Sequence, residues 1–186
     1  MNCIQTNLPG VLILEPAVFH DERGFFLESY HHDELQKMGI KSTFVQDNHS
    51  RSRRGVLRGL HFQLNSPQAK LCRVARGKVL DVAVDIRTGS PTFGQWTSAI
   101  LSDENHHMLF VPRGFAHGFY VLSEEVDFLY KCDDYYAPQD QCGIRWNDPK
   151  LGINWQIPDR ENPIVNARDN AYLALNEINV AELPQY

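Results

Sequence analysis

The chain has 186 residues, of which 42% are apolar and 22% are charged, a composition typical of folded globular proteins. That length suffices for one domain with a hydrophobic core, and we expect residues 1–186 to form a single domain. The net charge of -5 argues against broad nucleic-acid binding, so any anion site must be a local cluster of basic residues.

No apolar run is long enough to span a membrane, and the first residues lack the charged and apolar regions of a signal peptide. We therefore expect a cytoplasmic protein with neither a membrane nor a nucleic acid as partner. The cysteines show no Cys-x-x-Cys spacing. In such a compartment they are expected to be reduced packing residues rather than disulfides or zinc ligands.

Short strand patterns separated by turn residues occupy most of the chain. They predict strands within 1–19, 24–30, 44–49, 94–101, 107–111, 115–122 and 126–132. Helices are predicted at 31–39, ending at Gly39, and at 168–178. Many short strands at this spacing favour an all-β sandwich or barrel.

Residues 70–87 contain two further strand-like runs, interrupted at Arg76-Gly77-Lys78. A glycine between two such runs is typical of a hairpin, which is our prediction here. In the second run, from Leu80 to Asp85, apolar residues alternate with small or acidic ones. That alternation predicts a strand with two different faces.

The stretch from Gly55 to Gln63 places an arginine and a histidine in a strand-like run. Arg58 and His61 are three residues apart, so on a regular strand they would point to opposite faces. Glycine inside a strand pattern often marks a bulge, which adds one residue. We therefore predict that Gly59 forms a bulge and that both side chains face one cavity, as an anionic substrate and proton transfer would require.

A second histidine, His117, follows Pro112-Arg113-Gly114-Phe115-Ala116, which resembles the second signature of cupin barrels. A metal-binding cupin would place another histidine two residues after His61, where this chain has Gln63. It would also place a glutamate farther on, and this chain has none at the expected distance. Two imidazoles are too few for a zinc or ferrous site, so no metal or other cofactor is expected. A buried structural histidine remains the alternative for His117.

Seven segments in the right order resemble the dTDP-4-dehydrorhamnose 3,5-epimerase family. They are Asp21–Phe26, Phe44–Ser50, Val56–Gln63, Asp81–Arg87, Ser90–Gly94, Pro112–Phe119 and Leu129–Cys132. The resemblance implies an all-β, cupin-type jelly-roll β-barrel with a few short peripheral helices. It implies a cofactor-independent isomerase that inverts C3 and C5 of dTDP-4-dehydro-6-deoxy-D-glucose, giving dTDP-4-dehydro-L-rhamnose. A homodimer whose amino-terminal strands add to the partner's sheet is also implied.

The same resemblance assigns catalytic roles to four residues. His61 matches the base, and Asp169 matches the carboxylate that orients it. Lys70 matches the position that faces the C4 oxygen, and Tyr130 matches the acid on the opposite face of the sugar. Without the resemblance, Asp169 would be interpreted as a solvated carboxylate, Lys70 as a solvent-facing strand residue and Tyr130 as a packing residue.

Substrate-binding roles are implied for a larger set of residues. They are Arg23, Phe26, Glu28, Gln46, Asn48, Arg58, Lys70, His117, Gln141 and Arg168. Two positions depart from the family pattern: Ala69 stands where members carry glycine, and Gln141 where they often carry glutamate. The amide of Gln141 still forms hydrogen bonds but carries no charge.

Three other functions remain open on the sequence. The nearest is an epimerase acting at C3 or C5 alone, or a 3,4-ketoisomerase, in another dTDP-deoxysugar pathway. A metal-dependent cupin oxygenase would need ligands that the expected positions do not supply. A non-catalytic sugar-binding cupin would have no need for an acid, a base and a lysine together.

Overall fold

The protein, described over residues 1–186 by a computed structural model, consists mainly of short antiparallel strands. The strands are β1 (Asn2–Gln5), β2 (Leu12–Glu15), β3 (Val18–Asp21), β4 (Gly24–Leu27), β5 (Gln46–Arg53), β6 (Leu57–Gln63), β7 (Lys70–Arg76), β8 (Lys78–Asp85), β9 (Trp96–Ser102), β10 (Met108–Val111), β11 (Phe115–Val121), β12 (Glu125–Cys132) and β13 (Gln141–Gly143). The helices are α1 (His32–Lys37), α2 (Ala167–Ala171) and three 3-10 turns at Pro138–Asp140, Leu175–Glu177 and Val180–Glu182. No helix has the length and apolar character needed to cross a membrane.

Two sheets face each other and form the barrel. One has six strands in the order β1-β2-β10-β7-β12-β5, and the other has five in the order β13-β6-β11-β8-β9. The short pair β3–β4 stands apart as a third sheet. The all-β jelly-roll prediction is confirmed, since every strand pair of the two sheets is antiparallel.

Three apolar clusters fix this arrangement. The inner cluster lies between the sheets, with members such as Val74 of β7 and Phe119 of β11. A second cluster covers the outer face of the five-stranded sheet with the carboxy-terminal segment, including Trp155. A third packs α1, through Leu35, on the outer face of the six-stranded sheet. Strand β8 is buried on both faces. Its alternating sequence directs Leu80 to the cluster on the outer face of the sheet and Asp81 to the interior of the barrel.

The predicted hairpin at Arg76-Gly77-Lys78 is wrong. β7 pairs with β10 and β12 in one sheet, whereas β8 pairs with β9 and β11 in the other, so the chain crosses between sheets at Gly77. Gly77 has φ +84°, and a Cβ there would lie 2.1 Å from the carbonyl oxygen of Glu125. Gly77 therefore allows a tight turn between the two sheets rather than a hairpin within one sheet.

The predicted helix over 168–178 is also wrong as a single element. Helix α2 ends at Ala171, and Tyr172 is extended at φ -65° and ψ 148°. The backbone N–H of Arg145 donates to the carbonyl of Leu173 at 2.8 Å, which holds the extended segment. A separate 3-10 turn follows at Leu175–Glu177.

The bulge at Gly59 is confirmed. On β11, His117 pairs with His61 and Phe119 pairs with Arg58, so two steps on β11 match three on β6. Gly59 has φ +128°, and a Cβ there would lie 2.6 Å from the Cα of Gly118. The extra residue turns Arg58 and His61 to the same side of the sheet, and both line one cavity.

Candidate active site

A cavity of about 330 Å³ opens between the two sheets. The five-stranded sheet and the chain around it contribute Arg58, His61, His117, Gly118, Phe119, Tyr136 and Gln141. The six-stranded sheet and its adjoining segment contribute Gln46, Asn48, Ser50, Gln68, Lys70, Phe128, Tyr130 and Cys132. Eight of the residues predicted from the sequence therefore meet in one place.

His61 and Asp169 form a hydrogen-bonded pair at the wall of this cavity. His61 Nε2 lies 2.8 Å from Asp169 Oδ1, and the histidine side chain is 26% exposed, whereas the aspartate is fully buried. The other carboxylate oxygen accepts from the backbone N–H of Gly59 at 3.0 Å. Burial raises the pKa of Asp169, but the hydrogen bonds from His61 and Gly59 lower it further than burial raises it. The carboxylate is therefore ionised beside the imidazole.

The start of α2 delivers Asp169 to this position. Asn166 caps the helix, because its Oδ1 accepts from the backbone N–H of Asp169 at 2.8 Å. Behind His61, the ring of Tyr172 packs edge-on at 6.1 Å between ring centroids. The alternative of a solvated carboxylate is thus incompatible with the structure, since Asp169 has no solvent exposure.

A second imidazole–carboxylate pair lies next to the first. His117 on β11 is the direct strand partner of His61, and its Nε2 lies 2.6 Å from Asp81 Oδ1. The Sγ of Cys72 lies 3.6 Å from the same nitrogen. All three side chains are buried, but His117 still reaches the cavity.

The opposite wall carries Lys70 and Tyr130. Tyr130 pairs with Cys72 across β12 and β7, and Cys132 pairs with Lys70, so these side chains share the inner face. Burial, with smaller contributions from the Cys132 and Cys72 thiols, raises the pKa of Tyr130 to about 12. The phenol therefore stays protonated at neutral pH, as a proton donor must.

The cavity is suited to an anion. The carboxylates of Asp169 and Asp81 are bonded to the two imidazoles, and neither Lys70 nor Arg58 has a carboxylate partner. Arg58 is held by Ser52 Oγ, at 2.8 Å from its Nη2, and by the carbonyl of Arg51 at 3.1 Å. Two neighbouring arginines do not share this role, because Arg51 binds Asp127 at 2.7 Å and Arg54 is paired with Glu124.

Amide side chains line the mouth of the cavity. Gln46 Nε2 donates to Asn48 Oδ1 at 3.0 Å, so these two side chains lie on the same face of β5. Gln141 Oε1 accepts a hydrogen bond from the hydroxyl of Tyr136. Ala69 is the other position that departs from the family pattern. Its backbone N–H donates to Asp133 Oδ1 at 2.7 Å, which anchors the chain immediately before Lys70.

Four predicted substrate-binding residues lie outside the cavity of this chain. Arg23 and Phe26 belong to the exposed β3–β4 hairpin, where Arg23 is paired with Asp21. Glu28 lines an adjacent cavity of about 420 Å³, which shares Asn48 and Tyr130 with the first but contains neither His61 nor Lys70. Arg168 is exposed on α2 and does not line the cavity.

Several lining residues were missed by the sequence reasoning. Ser50 and Cys132 continue the alternation of Asn48 and Tyr130, so counting two residues along each strand would have found them. Asp81 was missed as the partner of His117, although an acidic residue on the inner face of a strand buried on both sides is a signal for a polar partner.

Comparison with known proteins agrees with this geometry. The model of the family described as dTDP-4-dehydrorhamnose 3,5-epimerase matches residues 5–177. The chain belongs to this family. Its members are isomerases, and their fold is the cupin-type jelly roll described above.

Individual members of the dTDP-4-dehydrorhamnose 3,5-epimerase family are similar over nearly their whole length. The Salmonella typhimurium enzyme of that name is 53% identical over 98% of this chain and 100% of its own. The dTDP-6-deoxy-D-glucose-3,5-epimerase of Legionella pneumophila, solved in complex with dTDP-4-keto-L-rhamnose, is 49% identical with a TM-score of 0.96, covering 100% and 98% of the two chains. A 3'-monoepimerase of Streptomyces bikiniensis, solved with dTDP-quinovose, is 33% identical with a TM-score of 0.89, covering 97% and 92%.

Proposed function

We propose that this protein inverts C3 and C5 of dTDP-4-dehydro-6-deoxy-D-glucose and so produces dTDP-4-dehydro-L-rhamnose. The observation that carries the proposal is the His61–Asp169 pair on one sheet, with Lys70 and Tyr130 across the cavity on the other. An inversion requires a base and an acid on opposite faces of the sugar. Two facing sheets supply that separation.

The 4-keto group makes the C–H bonds at C3 and C5 acidic. His61 removes the proton, since a neutral imidazole is a competent base near neutral pH. The electron pair moves to the C4 oxygen, where the ammonium of Lys70 stabilises the enolate. Tyr130 then donates its proton to the opposite face of the carbon, which inverts it.

Asp169 acts through His61 as a positioning residue. Its hydrogen bond to Nε2 fixes the tautomer and leaves the other ring nitrogen to accept the proton. The negative charge also stabilises the imidazolium that forms. Because Gly59 donates to the second oxygen, the carboxylate cannot rotate away without breaking two hydrogen bonds.

Substrate binding uses the unpaired cations and the amides of the cavity. A guanidinium such as Arg58 suits a diphosphate, since its planar fork forms paired charged hydrogen bonds. Gln46, Asn48, His117 and Gln141 line the same cavity and are available to the sugar and nucleotide.

We infer that the working form is a homodimer, and that the hairpin residues Arg23 and Phe26 complete the site of a second copy. Three phenylalanines of the hairpin, at positions 19, 25 and 26, are 64%, 58% and 68% exposed. The outer edge of β1 is unpaired, as strand addition to a partner's sheet requires. Sedimentation should give a dimer, and a stable, fully active monomer would contradict the inference.

We place the reaction in the cytoplasm, because all four cysteines are free. The net charge of -5 argues against a nucleic acid or an anionic membrane surface as partner, so an anionic substrate must be bound at a local basic site.

Incubation of the purified enzyme with the 4-keto sugar nucleotide in deuterated water tests the proposed reaction. We expect deuterium at both C3 and C5 of the product, read by NMR and mass spectrometry. The similarity to the Streptomyces bikiniensis 3'-monoepimerase makes exchange at one carbon the main competing result. Migration of the keto group would indicate a 3,4-ketoisomerase, and exchange at neither carbon would indicate a sugar-binding protein.

A further inference from the structure

Three potential metal ligands meet inside the barrel, and two of them, Cys72 and Asp81, have no role in the proposed epimerisation. Cys72 on β7, Asp81 on β8 and His117 on β11 lie with their ligand atoms within 4.8 Å of one another. Cys72 and Asp81 are fully buried, and His117 is 7% exposed. Each residue comes from a different strand of the two sheets, so the barrel itself holds the three groups together.

The separation of the sulfur and the imidazole nitrogen matches that of a tetrahedral site. Sulfur at 2.3 Å and nitrogen at about 2.05 Å from zinc stand about 3.5 Å apart in such a site. Cys72 Sγ and His117 Nε2 are 3.6 Å apart. Asp81 Oδ1 lies 2.6 Å from the same nitrogen and would have to move away by about 0.8 Å to reach the tetrahedral separation.

The carboxylate of Asp81 is a second, independent observation that favours a cation at this place. Its Oδ2 is buried and has no hydrogen-bond partner. In the neighbouring pair, both oxygens of Asp169 are satisfied, by His61 and by Gly59. A buried carboxylate with an unpartnered oxygen is unfavourable unless a cation compensates its charge.

The donor set determines the kind of cation. One thiolate, one imidazole and one carboxylate suit Zn²⁺ and similar thiophilic ions, whereas Mg²⁺ and Ca²⁺ require oxygen ligands. On binding, the thiol of Cys72 would release its proton to water. Because His117 lines the cavity, the fourth coordination position would face the space where the substrate binds.

We propose that Cys72, Asp81 and His117 bind one Zn²⁺ ion, and that this ion inhibits the enzyme by removing His117 from the substrate. The binding of the ion is independent of the proposed function. Only the inhibition rests on that function.

The binding test uses metal-free full-length protein titrated with Co²⁺, which reports thiolate ligation through a charge-transfer band in the near ultraviolet. Zn²⁺ should then displace the cobalt at one ion per chain. Cys72→Ser should lose the band and weaken Zn²⁺ binding by about 100-fold or more, since loss of an outer-shell partner alone costs 10–100-fold. Asp81→Asn should weaken it as well.

The matched control is Cys132→Ser, which alters another buried thiol of the same cavity that lies outside the cluster. It should keep both the band and the affinity. Absence of stoichiometric Zn²⁺ binding, or equal binding by Cys72→Ser and the wild type, would overturn the proposal. If Cys72→Ser fails to fold, the wild-type cobalt spectrum decides, because a bound ion without thiolate ligation contradicts the site.

An activity measurement tests the proposed inhibition separately from the binding of Zn²⁺. Zn²⁺ should inhibit the wild type in competition with the sugar nucleotide, and a chelator should restore the rate. Stoichiometric binding without inhibition would leave a metal site that does not regulate. A metal-free wild type without epimerase activity would contradict the proposed function and leave the metal binding standing.

Discussion

Two imidazole–carboxylate pairs lie side by side in the barrel and differ in ways that separate their roles. His61 and His117 are direct strand partners, with carboxylates at 2.8 Å and 2.6 Å. The side chain of His61 is 26% exposed, whereas that of His117 is 8% exposed. Asp169 has both oxygens satisfied, but Asp81 does not. A histidine that acts as a base must be accessible to the substrate, and its carboxylate partner must be held by hydrogen bonds at both oxygens. Only the His61–Asp169 pair meets both conditions.

The largest expected effect comes from changing the two histidines separately. His61→Asn should lower kcat by about 10²–10⁴-fold, because the base is lost, while dTDP still binds. His117→Asn should mainly raise KM, since the role proposed for His117 is to bind substrate and not to move a proton. Steady-state kinetics and dTDP titration of both variants check this. An equal fall of kcat in the two variants would break the distinction between the pairs.

The carboxylates give the next test. Asp169→Asn should lower kcat by about 10²-fold or more with little change in dTDP binding, because an amide neither fixes the tautomer nor stabilises the imidazolium. Asp81→Asn, assayed without metal, should keep most of kcat. The pH–rate profile of Asp169→Asn should also shift, which a purely structural change would not produce. A wild-type kcat in Asp169→Asn would contradict the role of the first pair.

The bulge that turns Arg58 and His61 to one side of the sheet can be strained by a side chain at Gly59. Gly59→Ala should destabilise the protein by about 3 kcal/mol, since φ is +128° and the new Cβ would meet backbone atoms at 2.6 and 2.9 Å. Gly89→Ala is the matched control, with φ +86° and no atom within 4 Å of its Cβ, and should cost about 1 kcal/mol. Urea unfolding measures both. Equal losses would show that the close approach of β6 and β11 at the bulge has no energetic role.

The smallest effect concerns acid stability. Hydrogen bonds from His61 and Gly59 outweigh burial and lower the pKa of Asp169, so its folded pKa lies below the unfolded value of about 3.9. The resulting stability is present above that value and is lost as pH falls through the folded pKa. The difference in unfolding free energy between wild type and Asp169→Asn should therefore narrow below about pH 4. A difference in unfolding free energy that is constant with pH would contradict the role of these hydrogen bonds.

Much of this structure could be predicted from local sequence patterns. Glycine inside a strand pattern predicted the bulge at Gly59, and the alternation of β5 and β12 was available to place Ser50 and Cys132 beside Asn48 and Tyr130. The corner at Gly77 could not be predicted in this way, because a glycine between two strands looks the same whether they pair or enter different sheets. Asp81 was missed for a similar reason, since its partner lies 36 residues away on another strand.

The hairpin residues show a different limit. Arg23 and Phe26 match the family pattern but lie outside the cavity of their own chain. Short-range patterns indicate that a residue is polar or aromatic at a turn. They do not indicate whether it serves its own chain or a second copy.

The central claim is that His61 and Tyr130 act on opposite faces of one sugar. It is tested most directly by Tyr130→Phe incubated with the 4-keto sugar nucleotide in deuterated water. Because His61 still abstracts protons and returns a deuteron to the same face, deuterium should enter with retained configuration, while inversion slows by about 10²-fold or more. Inverted product formed at the wild-type rate would contradict the claim.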